Sequence, residues 1–522
     1  MTIREILVLL GISQRIRTQI MELKRSSGIL LPISALPSPH GIGTLGKAAY
    51  NFIDFLAEAQ QSWWQILPVG PTSYGDSPYQ SFSTFAGNPY FIDLDTLVEQ
   101  GLLEKSELTG IDWGKSRRYV DYEKMYASRF ELLHLAAERG LKKYSAEFRA
   151  FLSENSSWLP DYALFMAVKK HFGMKAWSEW PEEAIRLHRP EAVEKYALKY
   201  RDCIEQLEFI QYLFFSQWHE LREYARKKGI GIIGDLPIYV AMDSADVWAA
   251  PEYFLLDENS IPTDVAGVPP DYFSEEGQLW GNPLYDWDAM KKDGYGWWIR
   301  RVDGSARLFD ALRIDHFRGF ESFWAVPYGE KNAVKGRWLK GPGMDLVGRL
   351  TSWFSNVRFI AEDLGILTPQ VREMLKESGL PGMKVLEFAF DPSEPSSYLP
   401  HTYGINCICY TGTHDNAPLV QWLEEASPEE IGFAEEYLGQ DDGDLCWSII
   451  RGGMRSVAVL FVAQLQDYLE LGAESRMNTP GTLGLNWQWR LLEGEASHAL
   501  AEKIARITEI YGRSKEEEKG DA

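Results

Sequence analysis

The sequence predicts an α/β fold, a (β/α)8 barrel of the TIM type with large insertions on its catalytic face. Eight short apolar runs, each typical of a buried parallel strand, recur along the 522 residues, and helical periodicity fills most of the intervals between them. Three of these runs in the second half of the chain end in a carboxylate, at Asp315, Glu362 and Asp415. Because barrel enzymes build their active sites at the carboxyl ends of the strands, this pattern also predicts a catalytic mouth.

Each predicted strand is a short apolar run that ends at polar residues, glycine or proline. In chain order the strands are Gly28–Leu36, Trp63–Gly70, Gly229–Val240, the runs that end at Asp315 and Glu362, Met383–Phe390, the run that leads to Asp415, and Leu485–Arg490. Glu, Leu, Tyr and Trp recur at helical spacing between the second and third strands, which predicts a helical insertion there. A Gly-, Pro- and Asp-rich stretch follows the third strand.

We expect a single catalytic domain over residues 26–510. Its insertions are predicted over about 71–228, largely helical, and over about 241–310, loop-rich and covering the substrate. Residues 1–25 are predicted as an N-terminal extension, because their apolar run is short and is followed by basic residues rather than a cleavage site. Residues 511–522 are predicted as a charged, disordered tail.

The chain is acidic, with 75 Asp and Glu against 53 Lys and Arg and a formal net charge of −22. A nucleic acid or an anionic membrane would need a basic face, so we expect neither as a partner. A solvated acidic surface is sufficient to explain the charge. The four cysteines show no CxxC spacing, which predicts reduced core thiols in a cytoplasmic protein. The oligomeric state is left open.

One glycine motif imitates a cofactor site. The run Gly41-Ile-Gly-Thr-Leu-Gly46 fits the dinucleotide fingerprint and follows a predicted strand. That fingerprint also needs a ribose-binding acid about 20 residues further on, and the next strand ends in Leu67-Pro-Val-Gly70 without one. We therefore interpret the run as a structural glycine loop and expect no organic cofactor.

The three strand-end acids suit glycosyl transfer, which needs a nucleophile and an acid/base on either side of one sugar bond. Arg313 lies two residues before Asp315 on one strand, so both face the same way and the guanidinium favours the charged carboxylate. The apolar run before Glu362 favours a protonated general acid. The two carboxyls are predicted to lie about 5–5.5 Å apart, the retaining geometry. Asp415 suits hydrogen bonds to sugar hydroxyls.

A metal site is the alternative, because His316 follows Asp315 and His414 precedes Asp415. Adjacent residues on a strand point to opposite faces, so neither pair can easily chelate one ion. We expect no metal ion.

Aromatic residues make up 13% of the chain and also occur in polar loops, at Tyr74–Tyr79, Asp271–Phe273 and Gln278–Tyr285. Flat rings among hydrogen-bonding side chains are what a sugar site needs.

Three segments around the acids are distinctive: Arg313-Ile-Asp-His-Phe-Arg-Gly-Phe320, Ala361-Glu-Asp-Leu-Gly365 and Thr411-Gly-Thr-His-Asp-Asn416. Three further motifs are Gly75–Tyr90, Gly267–Pro283 and Arg476–Gly481. Together they resemble the motifs of the 4-alpha-glucanotransferases (amylomaltases, or disproportionating enzymes) of the α-amylase clan. The resemblance runs from Gly28 to Arg490.

This resemblance implies a barrel without a C-terminal β-sandwich domain and a retaining double displacement without metal or organic cofactor. It implies transfer of a 1,4-α-glucan segment to the 4-hydroxyl of an acceptor glucan or glucose. The implied partners are maltooligosaccharides and linear α-1,4-glucans of starch, glycogen and maltodextrin metabolism. Asp315 matches the nucleophile, Glu362 the acid/base and Asp415 the transition-state stabiliser.

The substrate-binding residues follow from the same resemblance. The resemblance implies that four residues line the subsite of the attacked glucose: Tyr79, Asp235, Arg313 and His414. It implies that Trp280 and the loop Pro269–Gly277 line the acceptor side. The full set of predicted substrate-binding residues is Tyr79, Asp235, Arg313, His414, Trp280, Tyr272, Asp271 and Asn478.

Two alternatives stay open. An α-glucan hydrolase of the amylase type would share all three acids, although the covering loop favours transfer because it could hold an acceptor and limit water. A catalytically inactive glucan-binding module would keep the aromatic residues and lose an acid, whereas this chain has all three.

Overall fold

The computed structural model describes residues 23–73, 75–143, 145–270, 274–365, 367–393, 395–439, 443–482 and 484–515. The N-terminal extension before residue 23 and the tail after residue 515 lie outside these ranges, as do Asp271 and Tyr272. Within them, every helix is too short or too polar to traverse a lipid bilayer.

The described strands form two sheets, a parallel barrel and a small antiparallel sheet. In chain order they are β1 (Ser26–Leu30), β2 (Trp63–Gln65), β3 (Gly231–Leu236), β4 (Asp264–Val268), β5 (Gln278–Pro283), β6 (Ala311–Ile314), β7 (Ser322–Pro327), β8 (Arg337–Lys340), β9 (Arg358–Ala361), β10 (Gly382–Val385), β11 (Cys407–Tyr410) and β12 (Leu460–Gln464). The barrel runs in the order β10-β11-β12-β1-β2-β3-β6-β9. At the seam, the Ala361 N–H donates to the Pro381 carbonyl oxygen at 2.9 Å, so the barrel is nearly closed. The predicted fold class is confirmed.

Helices surround the barrel and fill the long connection between β2 and β3. In chain order they are α1 (Lys47–Glu58), α2 (Leu94–Glu99), α3 (Tyr122–Leu141), α4 (Ala146–Glu154), α5 (Leu159–His171), α6 (Glu183–Arg186), α7 (Pro190–Lys199), α8 (Arg201–Lys227), α9 (Ala245–Ala249), α10 (Trp287–Lys292), α11 (Gly296–Leu308), α12 (Met344–Trp353), α13 (Pro369–Ser378), α14 (Leu419–Glu425), α15 (Pro428–Leu438), α16 (Leu445–Arg455), α17 (Leu465–Tyr468) and α18 (His498–Ile510). After β12, the described residues form helices and turns rather than a β-sandwich.

The alternation of side chains along the strands separates the barrel interior from the helical layer. On β11, Ile408 and Tyr410 belong to the interior cluster, whereas Cys407 and Cys409 pack outward into the larger core. All four cysteines of the chain are free thiols.

The prediction for the eighth strand is wrong. Strand β12 is Leu460–Gln464, a buried run that pairs with β11 and β1. The predicted strand Leu485–Arg490 is irregular, and Trp487 within it has a positive φ of 65° that a strand residue does not adopt. Its alternating aromatic residues imitate a strand, whereas a barrel strand buried on both faces reads as a continuous apolar run.

The small sheet was not predicted. Strands β4, β5, β7 and β8 pair antiparallel in the order β5-β4-β7-β8, within the connections that follow β3 and β6. One of its faces packs on the main core through Ala266, Phe323 and Ala325. The stretch expected to be loop-rich therefore holds two strands.

Two arginines join the ends of the described chain at the face of the barrel opposite the mouth. Arg513 is fully buried and donates to the carbonyl oxygens of Met454, Ser456, Ala458 and Ser26. Arg25 donates to the Met454 and Ser456 carbonyls of the same set. The Ser26 carbonyl belongs to the first residue of β1, and the other three lie shortly before the first residue of β12, so the contacts hold both chain ends beneath the barrel.

Candidate active site

The three predicted acids lie at the carboxyl ends of barrel strands. Asp315 directly follows β6, Glu362 directly follows β9, and Asp415 comes shortly after β11. The Asp315 and Asp415 side chains are 27% and 43% exposed, whereas Glu362 is buried at 9%. All three acids therefore stand at one mouth, and two of them are open to a ligand.

A buried ion pair supports Asp315. Arg313 Nη1 lies 2.6 Å from Asp235 Oδ2 at the end of β3 and 3.1 Å from Asp315 Oδ1. The Arg313 side chain is 4% exposed and that of Asp235 is 0% exposed, so this pair is hidden from solvent. Ala311 faces the barrel interior, and Arg313 and Asp315 follow it at intervals of two, which explains why they share a face.

Backbone N–H groups hold Glu362. Its Oε2 accepts from the His316 N–H at 2.6 Å, and its Oε1 accepts from the Leu364 N–H at 2.9 Å. His316 adopts the left-handed conformation with a φ of 50°, which residues other than glycine adopt at a cost. The residue after Asp315 thus fixes Glu362 through its main chain. This polar setting contrasts with the apolar one that the sequence predicts.

The two acids influence each other's protonation. Burial raises the pKa of Asp315 above its ordinary range, Arg313 opposes this, and the charges of Asp235 and Glu362 add to it. Burial also raises the pKa of Glu362, against Arg313 and the two backbone N–H groups. The predicted effect of Arg313 is present, but burial is stronger. Two such carboxyls titrate as a pair and retain a proton to higher pH than an ordinary carboxyl.

The pKa of Asp415 is lowered, in contrast to those of Asp315 and Glu362. Its Oδ1 accepts from Asn478 Nδ2 at 2.6 Å, and its Oδ2 lies 3.3 Å from His414 Nε2. Burial alone would raise the pKa of Asp415, but His414, Asn478 and Arg313 outweigh it and lower the pKa to about 2. Burial would lower the pKa of His414, and Asp415 outweighs it, so that pKa is raised. Asp415 is therefore an anion at neutral pH.

Tyr79 connects the two halves of the mouth. Its hydroxyl donates to Asp235 Oδ2 at 2.7 Å and lies 3.5 Å from His414 Nδ1. Its ring stacks on His414 with centroids 5.1 Å apart. The structure thus brings together Tyr79, Asp235, Arg313, His414 and Asn478 around the acids.

Trp280 lies beside the residue that follows Asp315. Its ring meets that of His316 edge-on at 4.9 Å and lies 6.2 Å from that of Tyr239. It is half-buried on β5 of the small sheet. The predicted positions Asp271 and Tyr272 lie outside the described residues.

The sequence interpretation missed two residues at the mouth. Trp487 packs 5.8 Å from both Tyr79 and His414, and its assignment to a strand concealed this. Arg476 donates to the main-chain oxygens of Asp415 and Asn478 at 2.9 Å each. The one signal for Arg476 in the sequence was its place in the motif Arg476–Gly481.

The glycine run has a packing role. A Cβ at Gly43 would lie 1.8 Å from the Ile33 carbonyl oxygen, and one at Gly46 would lie 2.2 Å from the Asp93 carboxyl. Within the described ranges, no three His, Cys, Asp or Glu side chains lie together as a metal site requires. The carboxyls at the mouth can take part in catalysis by proton transfer or nucleophilic attack.

Fold and mouth together define a barrel enzyme of the glycoside-processing type, with differentiated carboxyls at its strand ends. Comparison with known families makes this specific. The model of the glycoside hydrolase 77 family, described as 4-alpha-glucanotransferase, matches residues 31–495. The chain therefore belongs to the 4-alpha-glucanotransferase family and is a glycosyltransferase.

Individual relatives agree. The chain is 48% identical to the 4-alpha-glucanotransferase of Clostridium butyricum, over 92% of this chain and 99% of that one. It is 46% identical to the enzyme of that name from Thermus thermophilus, over 94% of this chain and 100% of the relative. Among solved structures it resembles an amylomaltase from Streptococcus agalactiae in complex with acarbose. That match has 42% identity, coverage of 94% and 100%, and a TM-score of 0.92.

Proposed function

We propose that this enzyme moves a segment of a 1,4-α-glucan to the 4-hydroxyl of an acceptor glucan or glucose, with retention at the anomeric carbon. The observation that carries the proposal is the contrast between the two neighbouring acids. Asp315 contacts the Arg313 guanidinium, whereas Glu362 is buried beneath backbone N–H groups. Arg313 lowers the pKa of both carboxyls, but its ion pair at 3.1 Å is with Asp315, so we place the retained proton on Glu362.

In the first half-reaction, a carboxylate oxygen of Asp315 attacks the anomeric carbon. The bond from that carbon to the leaving glucan's O4 breaks, and Glu362 gives its proton to that oxygen. The products are a covalent glycosyl-enzyme on Asp315 and a free glucan with a new 4-hydroxyl.

In the second half-reaction, Glu362 acts as the base. It takes the proton of the acceptor's 4-hydroxyl while that oxygen attacks the anomeric carbon and Asp315 leaves. Two inversions give net retention, and Glu362 ends protonated as it began.

The other side of the mouth binds the attacked glucose. Asp415 is anionic at neutral pH, and we assign it to hydroxyl hydrogen bonds that strengthen in the transition state. Tyr79 and His414 form a stacked wall for the same sugar. The Asp235 Oδ1 atom is buried and has no partner among the described residues, which suits a sugar hydroxyl.

Transfer rather than hydrolysis requires an acceptor that competes with water. Trp280 offers a partly exposed ring next to His316. A sugar hydroxyl held there attacks as if intramolecular, and such orientation can contribute up to about 7–11 kcal/mol. We propose maltooligosaccharides and linear α-glucans as substrates, no metal or organic cofactor, and a cytoplasmic location that the four free thiols support.

Incubation with maltotriose alone tests the proposal. We expect glucose and a ladder of longer maltodextrins, with the concentration of reducing ends nearly constant. Reducing ends that rise in step with maltotriose consumption would instead identify an α-glucan hydrolase.

A further inference from the structure

The loop 411–418 between β11 and α14 carries His414 and Asp415 into the mouth. Arg476 and Asn478 donate to Asp415 from outside the loop. Within the loop, Asn416 Oδ1 accepts from the N–H and the hydroxyl of Thr413 at 2.9 and 2.8 Å. This clamp joins the two residues that flank His414 and Asp415. What fixes the clamp relative to the barrel lies beneath the loop.

One buried carboxyl joins the two ends of the loop. Asp467 on α17 is 0% exposed, and its Oδ1 accepts from the Leu419 N–H at 2.8 Å. Its Oδ2 accepts from the Thr411 hydroxyl. The first residue of the loop and the first residue of α14 are therefore held by one side chain.

A second carboxyl supports the centre of the loop. Glu387, on the turn after β10, is hydrogen-bonded by the Asn416 amide. Its Oε1 is buried against Gly412, where a Cβ would come within 2.5 Å of that oxygen. Its N–H donates to the Thr411 carbonyl oxygen at 3.3 Å. Glu387 thus contacts the loop at its start, at Gly412 and at Asn416.

We propose that Glu387, together with Asp467, is a positioning residue that holds the clamp of Thr413 and Asn416 and so aims Asp415 at the attacked sugar. The proposal rests on the role proposed above for Asp415. Glu387 acts through its contacts with Thr411, Gly412 and Asn416 of the loop.

The charges around Glu387 define how it acts. Burial raises the pKa of Glu387 well above its ordinary range, the Asp467 carboxylate and Glu425 add to this, and Arg476 and Asn416 oppose it. Burial likewise raises the pKa of Asp467 to about 6, against the bonds from Thr411 and Leu419. The raised pKa of Glu387 favours its protonated form, and glutamine reproduces the shape and the lack of charge of that form.

The experiment compares Glu387→Gln with Glu387→Ala, using purified protein and maltotriose. We expect the glutamine variant to keep kcat within about twofold, since it keeps the hydrogen bond. The alanine variant should lose about tenfold or more in kcat with little change in KM, because Asp415 acts mainly in the transition state. A glutamine variant as slow as the alanine variant would overturn positioning through the hydrogen bond between residue 387 and Asn416.

A matched control separates positioning from stability. Gln61 is fully buried and bonds to Thr508 on the last helix, far from the loop. Gln61→Ala should lower the melting temperature and leave kcat unchanged at 25 °C. A folded Glu387→Ala variant with the parent's kcat would overturn the proposal.

Double substitution distinguishes this inference from the role of Asp415. Asp415→Asn alone should abolish most turnover, and adding Glu387→Ala should cost little more, because both act through one group. If Asp415→Asn is nearly as active as the parent, the proposed role of Asp415 fails. If it is inactive and the two losses multiply, only the positioning proposal fails.

Discussion

Asp315 and Glu362 are both carboxyls at strand ends, yet their neighbours differ in kind. Asp315 meets a guanidinium on the preceding stretch of its own strand, and Glu362 meets the main chain of His316 and Leu364. The ion pair with Arg313 stabilises the charged form of Asp315, and the two N–H groups hold the Glu362 carboxyl in one orientation. Substituting Asp315 and substituting Glu362 should therefore impair different steps of the reaction.

Donors with different leaving groups separate the two roles. With maltotriose, Asp315→Asn should lose about a thousandfold or more in turnover, and Glu362→Gln about 10²- to 10⁴-fold. Fluoride leaves without a proton, so α-maltosyl fluoride should restore glycosyl-enzyme formation in Glu362→Gln alone, measured as fluoride release. Rescue of Asp315→Asn by the fluoride donor would show that Asp315 is not the nucleophile.

The raised pKa of Glu362 predicts the alkaline limb of activity. A proton that an ordinary glutamate loses near pH 4.3 is retained to higher pH here, and the rate with maltotriose falls as that proton leaves. With α-maltosyl fluoride no proton is needed, so fluoride release should stay level over the same alkaline range. Equal decline with both donors would mean that another group sets the limb.

At the residue scale, the sequence predicted correctly those contacts that follow from the alternation of side chains along a strand. Arg313 and Asp315 share a face because they lie two apart, and that follows from the pleat. The contact between His316 and Glu362 depends on a left-handed φ of 50°, which no residue pattern announces for a histidine. The contacts of Tyr79 with Asp235 and His414 join distant segments, so the resemblance alone suggested them.

At the scale of elements, the small sheet places an aromatic ring beside His316, the residue that follows Asp315. Alternation along β5 turns Trp280 towards His316 and its neighbour Leu279 to the other face, where Leu279 is 36% exposed.

Trp280→Ala should slow transfer more than glycosyl-enzyme formation and shift the products of maltotriose towards hydrolysis. The measurement is the ratio of new reducing ends to glucose released. Leu279→Ala, on the same strand, should leave that ratio unchanged. A Trp280→Ala enzyme with the parent's ratio would remove the acceptor role from this ring.

The elements also show where sequence patterns mislead. Seven barrel strands were placed correctly because their apolar runs end in polar or glycine-rich turns. Strand β12 was overlooked, although Leu460–Gln464 is a buried run like the others, because the alternating tryptophans of 485–490 matched a strand period better. The small sheet was missed since its strands alternate weakly and pair across an intervening barrel strand.

At the scale of the whole molecule, one buried arginine secures the closed face of the barrel. Arg513→Ala would remove the arginine donor of the buried Ser26 carbonyl and leave Arg25 as the remaining arginine donor to Met454 and Ser456, so it should lower the free energy of unfolding by about 2 kcal/mol or more. The mouth is distant, so kcat at 25 °C should persist. Arg506→Ala is the control, because its ion pair with Glu509 is 3.9 Å long and exposed. Equal melting temperatures for both variants would contradict the argument.

The tether of Arg25 and Arg513 has a practical consequence for work with polymeric substrates. Both ends of the described chain leave the barrel on the side away from Asp315. A resin coupled through the C-terminal segment would therefore hold the enzyme with its mouth towards the liquid. Long amylose chains should reach such a bead-bound enzyme as readily as short ones, whereas random coupling through surface lysines would discriminate against them.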